Sequence, residues 1–281
     1  MKNPRLVIIT NGNYYAQLIL KDLFGNHLFE VVGVLIVTGD YKARTGFNSL
    51  YSVGKQTGLP YLIFKIFTIF AFKIAQILFP DATFSVGKLA EVFGFNVYHA
   101  ISVNSIDAIE WASKLEPDMI ISVSCPQLIR ENMLTISKRR GINIHSSLLP
   151  IYAGLAPYYW VLSNGEKVTG ITIHYLTKKF DEGNILVQKR LEIPPGISAH
   201  CLFEELARIG SKALVDAIQL SLEDFEGTRQ DLSQYSYFSN PDFSSYLSLL
   251  KNGHCLIRIP ELISSIKTEI ELSKNRIKHS R

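Results

Sequence analysis

The sequence predicts an α/β fold built on a mostly parallel sheet flanked by helices, and three observations carry that expectation. Strand-length apolar runs alternate with helix-period segments from the N-terminus onward, the pattern of βαβ units. The run at 118–123 is apolar but for Asp118 and Ser122, as in a buried strand. The later runs at 142–145, 167–174 and 184–193 alternate apolar with polar residues, which marks strands that offer one face to a core.

Composition bounds the rest. Of the 281 residues, 47% are hydrophobic and 19% charged, which suits one main domain of ordinary size plus an appendage. The formal charge of +4 is mild, and no long basic block precedes the tail, so no nucleic-acid partner is expected. Cys125, Cys201 and Cys255 are widely spaced and lack a Cys-x-x-Cys pattern, which argues against both a disulfide framework and a bound metal. Residues 1–5 lead into the first apolar run without a signal-peptide pattern, and the expected location is the cytoplasm.

Residues 5–10 form a short apolar run that ends at Asn11-Gly12-Asn13. Ala16, Leu18, Ile19, Leu20, Leu23 and Phe24 then recur at helical spacing, and 30–37 is a valine-rich strand. One glycine in the turn is no Gly-x-Gly-x-x-Gly fingerprint. The turn either accepts a phosphate or carboxylate at the helix N-terminus or is a plain connection. Residues 39–60, with Lys42, Arg44 and Lys55, read as a solvated loop, or else as a contact for an anionic substrate.

Residues 61–79 are unusual, twelve of the nineteen being phenylalanine, isoleucine or leucine. Lys65, Thr68, Lys73 and Gln76 share one arc of the helical wheel. Three placements compete. The segment packs into the core or a dimer interface, which composition favours; it lies in a membrane surface with its lysines toward headgroups; or it spans a bilayer, which two internal lysines disfavour.

Residues 96–100 read as a strand with His99 at its end, and 105–115 as a helix. The buried strand breaks at Ser124-Cys125-Pro126, with a helix at 130–136; Cys125 has no basic neighbour that would activate a thiolate. The run Gly141-Ile142-Asn143-Ile144-His145 organises the chain. Ile142 and Ile144 point one way, while Asn143 and His145 share the other face at the strand's end, a costly place for polar groups without partners or a task. A helix at 156–162 follows. Residues 180–183 turn between the last two strands and return the carboxylate of Asp181; an amide, an imidazole and a carboxylate are the parts needed to steer a proton and hold an oxyanion. His174 either serves that centre or is a satisfied neighbour. Ser198 reads as the N-cap of a helix over 198–222. From 223 the composition changes; a segment at 242–250, a helix at 260–273 and a frayed basic end at 274–281 are expected.

Four motifs in this order and spacing, Asn143-Ile144-His145-Ser146-Ser147-Leu148-Leu149-Pro150, Gly154-Leu155-Ala156-Pro157, Thr169-Gly170-Ile171-Thr172-Ile173-His174 and Asp181-Glu182-Gly183, resemble the formyltransferases that use 10-formyltetrahydrofolate. That family includes methionyl-tRNA formyltransferase, glycinamide ribonucleotide transformylase and the sugar N-formyltransferases. The resemblance covers about residues 80–225 well and the first 40 loosely. It implies a Rossmann-like formyltransferase fold, with a catalytic domain over 1–225 and a C-terminal appendage over 226–281. It implies Asn143, His145 and Asp181 as catalytic residues, and Gln127, Leu128, Ile129, Thr177 and Asp181 beside the folate. The implied activity is formyl transfer from 10-formyltetrahydrofolate to a small primary amine, first of all an amino sugar carried on a nucleotide. The alternatives are a membrane or lipid-linked amine, suggested by 61–79, and a folate-binding protein without turnover. Many relatives have a basic residue before the glycine where this chain has Ile151-Tyr152-Ala153, which points away from methionyl-tRNA and aminoarabinose. The tail is too short for a tRNA-binding barrel and is compatible with a homodimer contact.

Overall fold

The computed structural model describes residues 3–40, 42, 45 and 57–279, with side chains through 275. Of the loop cations noted above, Arg44 and Lys55 lie outside the described residues, and Lys42 is exposed.

The chain opens with β1 (Arg5–Thr10), α1 (Tyr14–Phe24) and β2 (Glu30–Val37), followed by α2 (Leu59–Leu78), α3 (Val86–Phe93) and β3 (Val97–Ala100). Then come α4 (Ile106–Lys114), β4 (Met119–Val123), α5 (Glu131–Leu134), β5 (Ile142–His145), the short β6 (Ala153–Gly154) and α6 (Pro157–Ser163). β7 (Val168–Tyr175), β8 (Ile185–Glu192), α7 (Ala199–Leu222), β9 (Tyr237–Phe238), α8 (Phe243–Lys251) and α9 (Ile259–His279) complete it. The central sheet has seven strands in the order β3-β2-β1-β4-β5-β7-β8. β3 through β5 run parallel, whereas β7 and β8 are antiparallel additions at one edge. This is the mostly parallel, Rossmann-like sheet that the patterning predicts.

Alternation along each strand divides the core into two layers. Leu6 and Ile8 join Leu20 of α1 and Leu214 of α7 on one side; Val7 and Ile9 join Ala108 and Ala112 of α4 and Met133 of α5 on the other. Side-chain caps set the helix starts: Asn13, Ser85, Ser105, Ser198 and Asp242 each accept a backbone N–H from the first turn.

The structure corrects several boundaries. The helix expected at 130–136 is only one turn, because the N–H groups of Lys138 and Arg139 donate to the carbonyls of Pro117 and Asp118 and pull the chain back to the start of β4. α3 was not foreseen; Ser85 starts it and Gly94, at φ +71°, ends it. The end expected to fray from 274 stays helical through His279, since no glycine or proline interrupts the run after Pro260.

The larger correction concerns α2. It is not a core helix: only Tyr61, Phe64, Thr68, Phe72 and Ala75 are buried. That stripe binds it to the domain, where Phe72 stacks on Tyr14 at 3.9 Å and the Tyr61 and Tyr158 hydroxyls meet at 2.9 Å. A helix held along the domain in this way does not cross a bilayer.

The residues beyond 225 fold back over the rest. β9 pairs with β6. α8 packs on α6, where Ser163 Oγ donates to the Ser245 carbonyl at 2.8 Å. α9 reaches α1 and α7 through the Lys21–Glu269 ion pair at 2.8 Å and a His200 Nε2–Ser265 Oγ contact at 3.0 Å.

Candidate active site

The carboxyl ends of parallel strands are where α/β sheets place their ligand sites. Here the ends of β4 and β5 open into a cleft of about 810 Å³. Asn143, His145 and Asp181 all line it, as do Gln127, Leu128, Ile129 and Thr177.

β5 delivers Asn143 and His145 on one face because Ile142 and Ile144 are buried on the other. His145 is itself buried, and its Nε2–H donates to the Tyr152 carbonyl at 2.8 Å. That carbonyl also accepts from Ser147 Oγ at 3.2 Å, so the loop after β5 folds back to hold the ring of the residue it follows. Thr172 braces the same loop, donating to the Ser147 carbonyl at 2.7 Å and accepting the Leu149 N–H at 3.1 Å.

Asp181 arrives from the β7–β8 turn at φ +56°, a left-handed conformation that is unusual outside glycine. Gln230 steadies that turn by donating to the carbonyls of Asp181 and Gly183 at 2.8 and 2.6 Å. Gly183 is required: a Cβ there would run into the Tyr175 carbonyl oxygen. The carboxylate accepts the Gly154 N–H at 2.9 Å and lies 3.7 Å from His145 Nδ1 and 3.5 Å from His174 Nε2. Burial pushes its pKa up, but the His145 charge, the His174 hydrogen bond and charge and the Gly154 N–H outweigh burial and hold it well below the usual carboxylate range.

His174 is the residue that the sequence left undecided. It stands directly across from Asn143 in the antiparallel β5–β7 pair. Its Nδ1–H donates to the Tyr175 carbonyl at 2.9 Å, and its Nε2 lies 3.2 Å from Asn143 Nδ2 and 3.5 Å from Asp181 Oδ1: the neutral ring accepts the Asn143 amide N–H there, and the protonated ring donates to the carboxylate instead. One amide N–H of Asn143 is thereby oriented, and the other is left for a ligand. The sequence signal existed in the alternation of 170–174, but the cross-strand register did not.

The folate-side residues take different parts. Gln127 lines the cleft, yet its amide is committed: it donates to the Asp40 and Ile101 carbonyls at 2.8 and 2.9 Å and accepts the Val103 N–H at 3.0 Å. Leu128 and Ile129 form apolar wall. Thr177 is at the cleft edge, its hydroxyl bonded to the Lys179 carbonyl at 3.0 Å. Burial pushes the Cys125 thiol up to about 12, the reverse of an activated nucleophile. Among the described residues there is no group of three His, Cys, Asp or Glu side chains suited to a metal.

Sequence reading missed one wall altogether. Tyr61, Leu62, Lys65 and Ile66 of α2 line the cleft together with the polar cluster. Lys65 is half-buried and has no ion pair with a described residue, and burial lowers its pKa. The tail contributes as well, through Tyr237, Ser239 and Asn240.

Residues 80–218 match the family model described as formyl transferase. A methionyl-tRNA formyltransferase of Kosmotoga olearia is 35% identical over 153 residues, which are 54% of this chain and 49% of that protein. The chain spans at most about half the length of the curated relatives it matches first. Among solved structures, glycinamide ribonucleotide transformylase 1 of Symbiobacterium toebii aligns with a TM-score of 0.56 at 21% identity, covering 81% of this chain and 94% of that one. The N-formyltransferase of Helicobacter canadensis, solved with folinic acid and dTDP-3-aminofucose, aligns with a TM-score of 0.56 at 19% identity, covering 85% and 71%. These likenesses bear out the fold.

Proposed function

On the premise that residues 80–218 are a formyl transferase domain, we propose that the chain moves a formyl group from 10-formyltetrahydrofolate to the primary amine of an amino sugar carried on a nucleotide. The observation that carries this reading is the convergence of Asn143, His145, His174 and Asp181 in one cleft. At about 810 Å³ the cleft is at the upper end of ordinary small-molecule sites, and it sets apolar wall at Leu128 and Ile129 beside the polar cluster.

The amine nitrogen attacks the formyl carbon, a carbon–nitrogen bond forms, and the bond to the folate nitrogen then breaks. With Nε2–H given to Tyr152, Nδ1 is the nitrogen of His145 able to take the amine's proton. Once protonated, that nitrogen faces the Asp181 carboxylate, which stabilises the charged ring until the proton passes to the departing folate nitrogen. The free N–H of Asn143 donates to the oxyanion, while His174 holds the amide in orientation.

The sugar acceptor draws support from the nucleotide sugar named with the Helicobacter canadensis structure and from the lack of a basic residue before Gly154. A second reading, an amine presented at a membrane, draws support from the placement of α2 along the cleft. The test is tetrahydrofolate release from 10-formyltetrahydrofolate across a panel of amines. Release that needs a nucleotide-linked amino sugar is expected. Release that occurs equally without any amine would replace transfer with hydrolysis, and tight folate binding without release would make the chain a folate-binding protein.

A further inference from the structure

α2 lies outside the matched family region and carries three stripes. One is buried against the domain. The second, Leu62, Lys65, Ile66 and Ile69, lines the cleft. The third, Ile63, Phe67, Phe70, Ile74 and Ile77, faces outward, with exposures from 38% to 78%. At about 100° per residue, Ile66 falls on the seam between the second and third stripes, and Lys73 falls close to the same seam two turns along. Ile66 is 37% exposed, so at that turn the cleft mouth passes directly into the apolar face, with Lys73 farther along the same border. An apolar face of this extent marks an interaction surface.

Charge narrows the occupant. Residues 59–79 hold Lys65 and Lys73 and no acidic residue. Lys73 is exposed at the edge of the apolar face and is ion-paired to no described residue. We propose that this face seats the chain on an anionic lipid surface, with Lys73 among the headgroups and the cleft opening at the interface. Such a surface holds helices with an apolar face and a lysine at its border. A second copy of the chain suits the face poorly. A two-fold contact would bring together two acid-free helices, each with an unpaired lysine, and would stand across the cleft mouth. The consequence for substrate rests on the formyl-transfer reading and belongs to its second form: an acceptor amine carried on an amphiphile would enter past Ile66, whereas a nucleotide-linked amino sugar would reach the same cleft from solution.

The experiment is co-sedimentation of the full chain with phosphatidylcholine vesicles, with and without phosphatidylglycerol. The variant combines Phe70→Ser, Ile74→Ser and Ile77→Ser, three side chains that line no part of the cleft. Wild type is expected to bind the anionic vesicles about tenfold or more tightly than the neutral ones, and less so in high salt. The variant is expected to lose about tenfold or more of that binding, while formylating a water-soluble amine as wild type does. Failure of wild type to bind anionic vesicles, or a dimer that the variant dissociates, overturns the proposal. If vesicles are not bound but a soluble amine is formylated, the membrane inference fails and the formyl-transfer reading stands. If vesicles are bound but no amine is formylated, the reverse holds.

Discussion

At the residue scale, the site is a set of hydrogen-bond commitments that leave a few atoms free. His145 Nε2 is spent on Tyr152 and Gln127's amide on four backbone groups, so in the proposed reaction the chemistry is assigned to His145 Nδ1 and the second N–H of Asn143. Replacing His145 with alanine should lower kcat by about 10²- to 10⁴-fold with the far-UV spectrum and Tm little changed. Asn143→Ala should cost about 10²- to 10³-fold, read in the same tetrahydrofolate-release assay. Asp181 makes a different prediction. Its pKa is depressed in the folded chain, so its stabilisation is complete well above the ordinary carboxyl value of about 3.9, begins to fall as pH drops through that value and is gone only below the depressed folded value. The stability gap between wild type and Asp181→Asn, measured by urea unfolding, should therefore begin to narrow below about pH 5 and go on narrowing through about pH 3. A constant gap would mean that its neighbours do not hold the carboxylate ionised.

At the element scale, the sheet presents its polar cluster on one wall of the cleft and α2 supplies another. Lys65 is the cation of that second wall, half-buried and lowered in pKa by burial, an arrangement that costs stability and is kept where a charge must be met. Lys65→Met should raise Tm slightly while raising KM for an anionic substrate about tenfold, with kcat less affected; steady-state kinetics and a thermal melt decide it. The β7–β8 turn has the opposite economy. Gly183→Ala should destabilise by about 1–3 kcal/mol and lower activity together, because the new Cβ displaces the turn that carries Asp181.

At the scale of the whole molecule, the residues beyond 225 are laid over the domain they follow. Their contacts cover both ends of the fold: β9 on β6 beside the cleft, and α9 on α1 through the buried Glu269. A chain ending at 225 should therefore lose cooperative unfolding, seen as a broadened thermal transition, because it uncovers Leu214-side core and the apolar flank of α1 at once. A sharp melt at the full-length Tm would show that the appendage is dispensable for folding.

Much of this was legible in the residues. Period-two alternation placed Asn143 and His145 on one face of β5, and the Asp181-Glu182-Gly183 turn announced a returning carboxylate. Ser198 as a cap and the apolar stripe of α7 were equally readable. Such features are local: they depend on which way successive side chains point and on what a backbone conformation excludes. The partnership of Asn143 with His174, the wall formed by α2 with Lys65, and the return of the tail to the cleft were decided only by the tertiary structure. Each joins segments far apart in the chain, and strand register and helix docking are settled by burial summed over many residues rather than by a mark at either partner. The apolar run at 61–79 shows the division most plainly. Its composition made it a helix with a cationic arc, but whether that helix was core or surface depended on how much apolar area the sheet and its other helices had already covered.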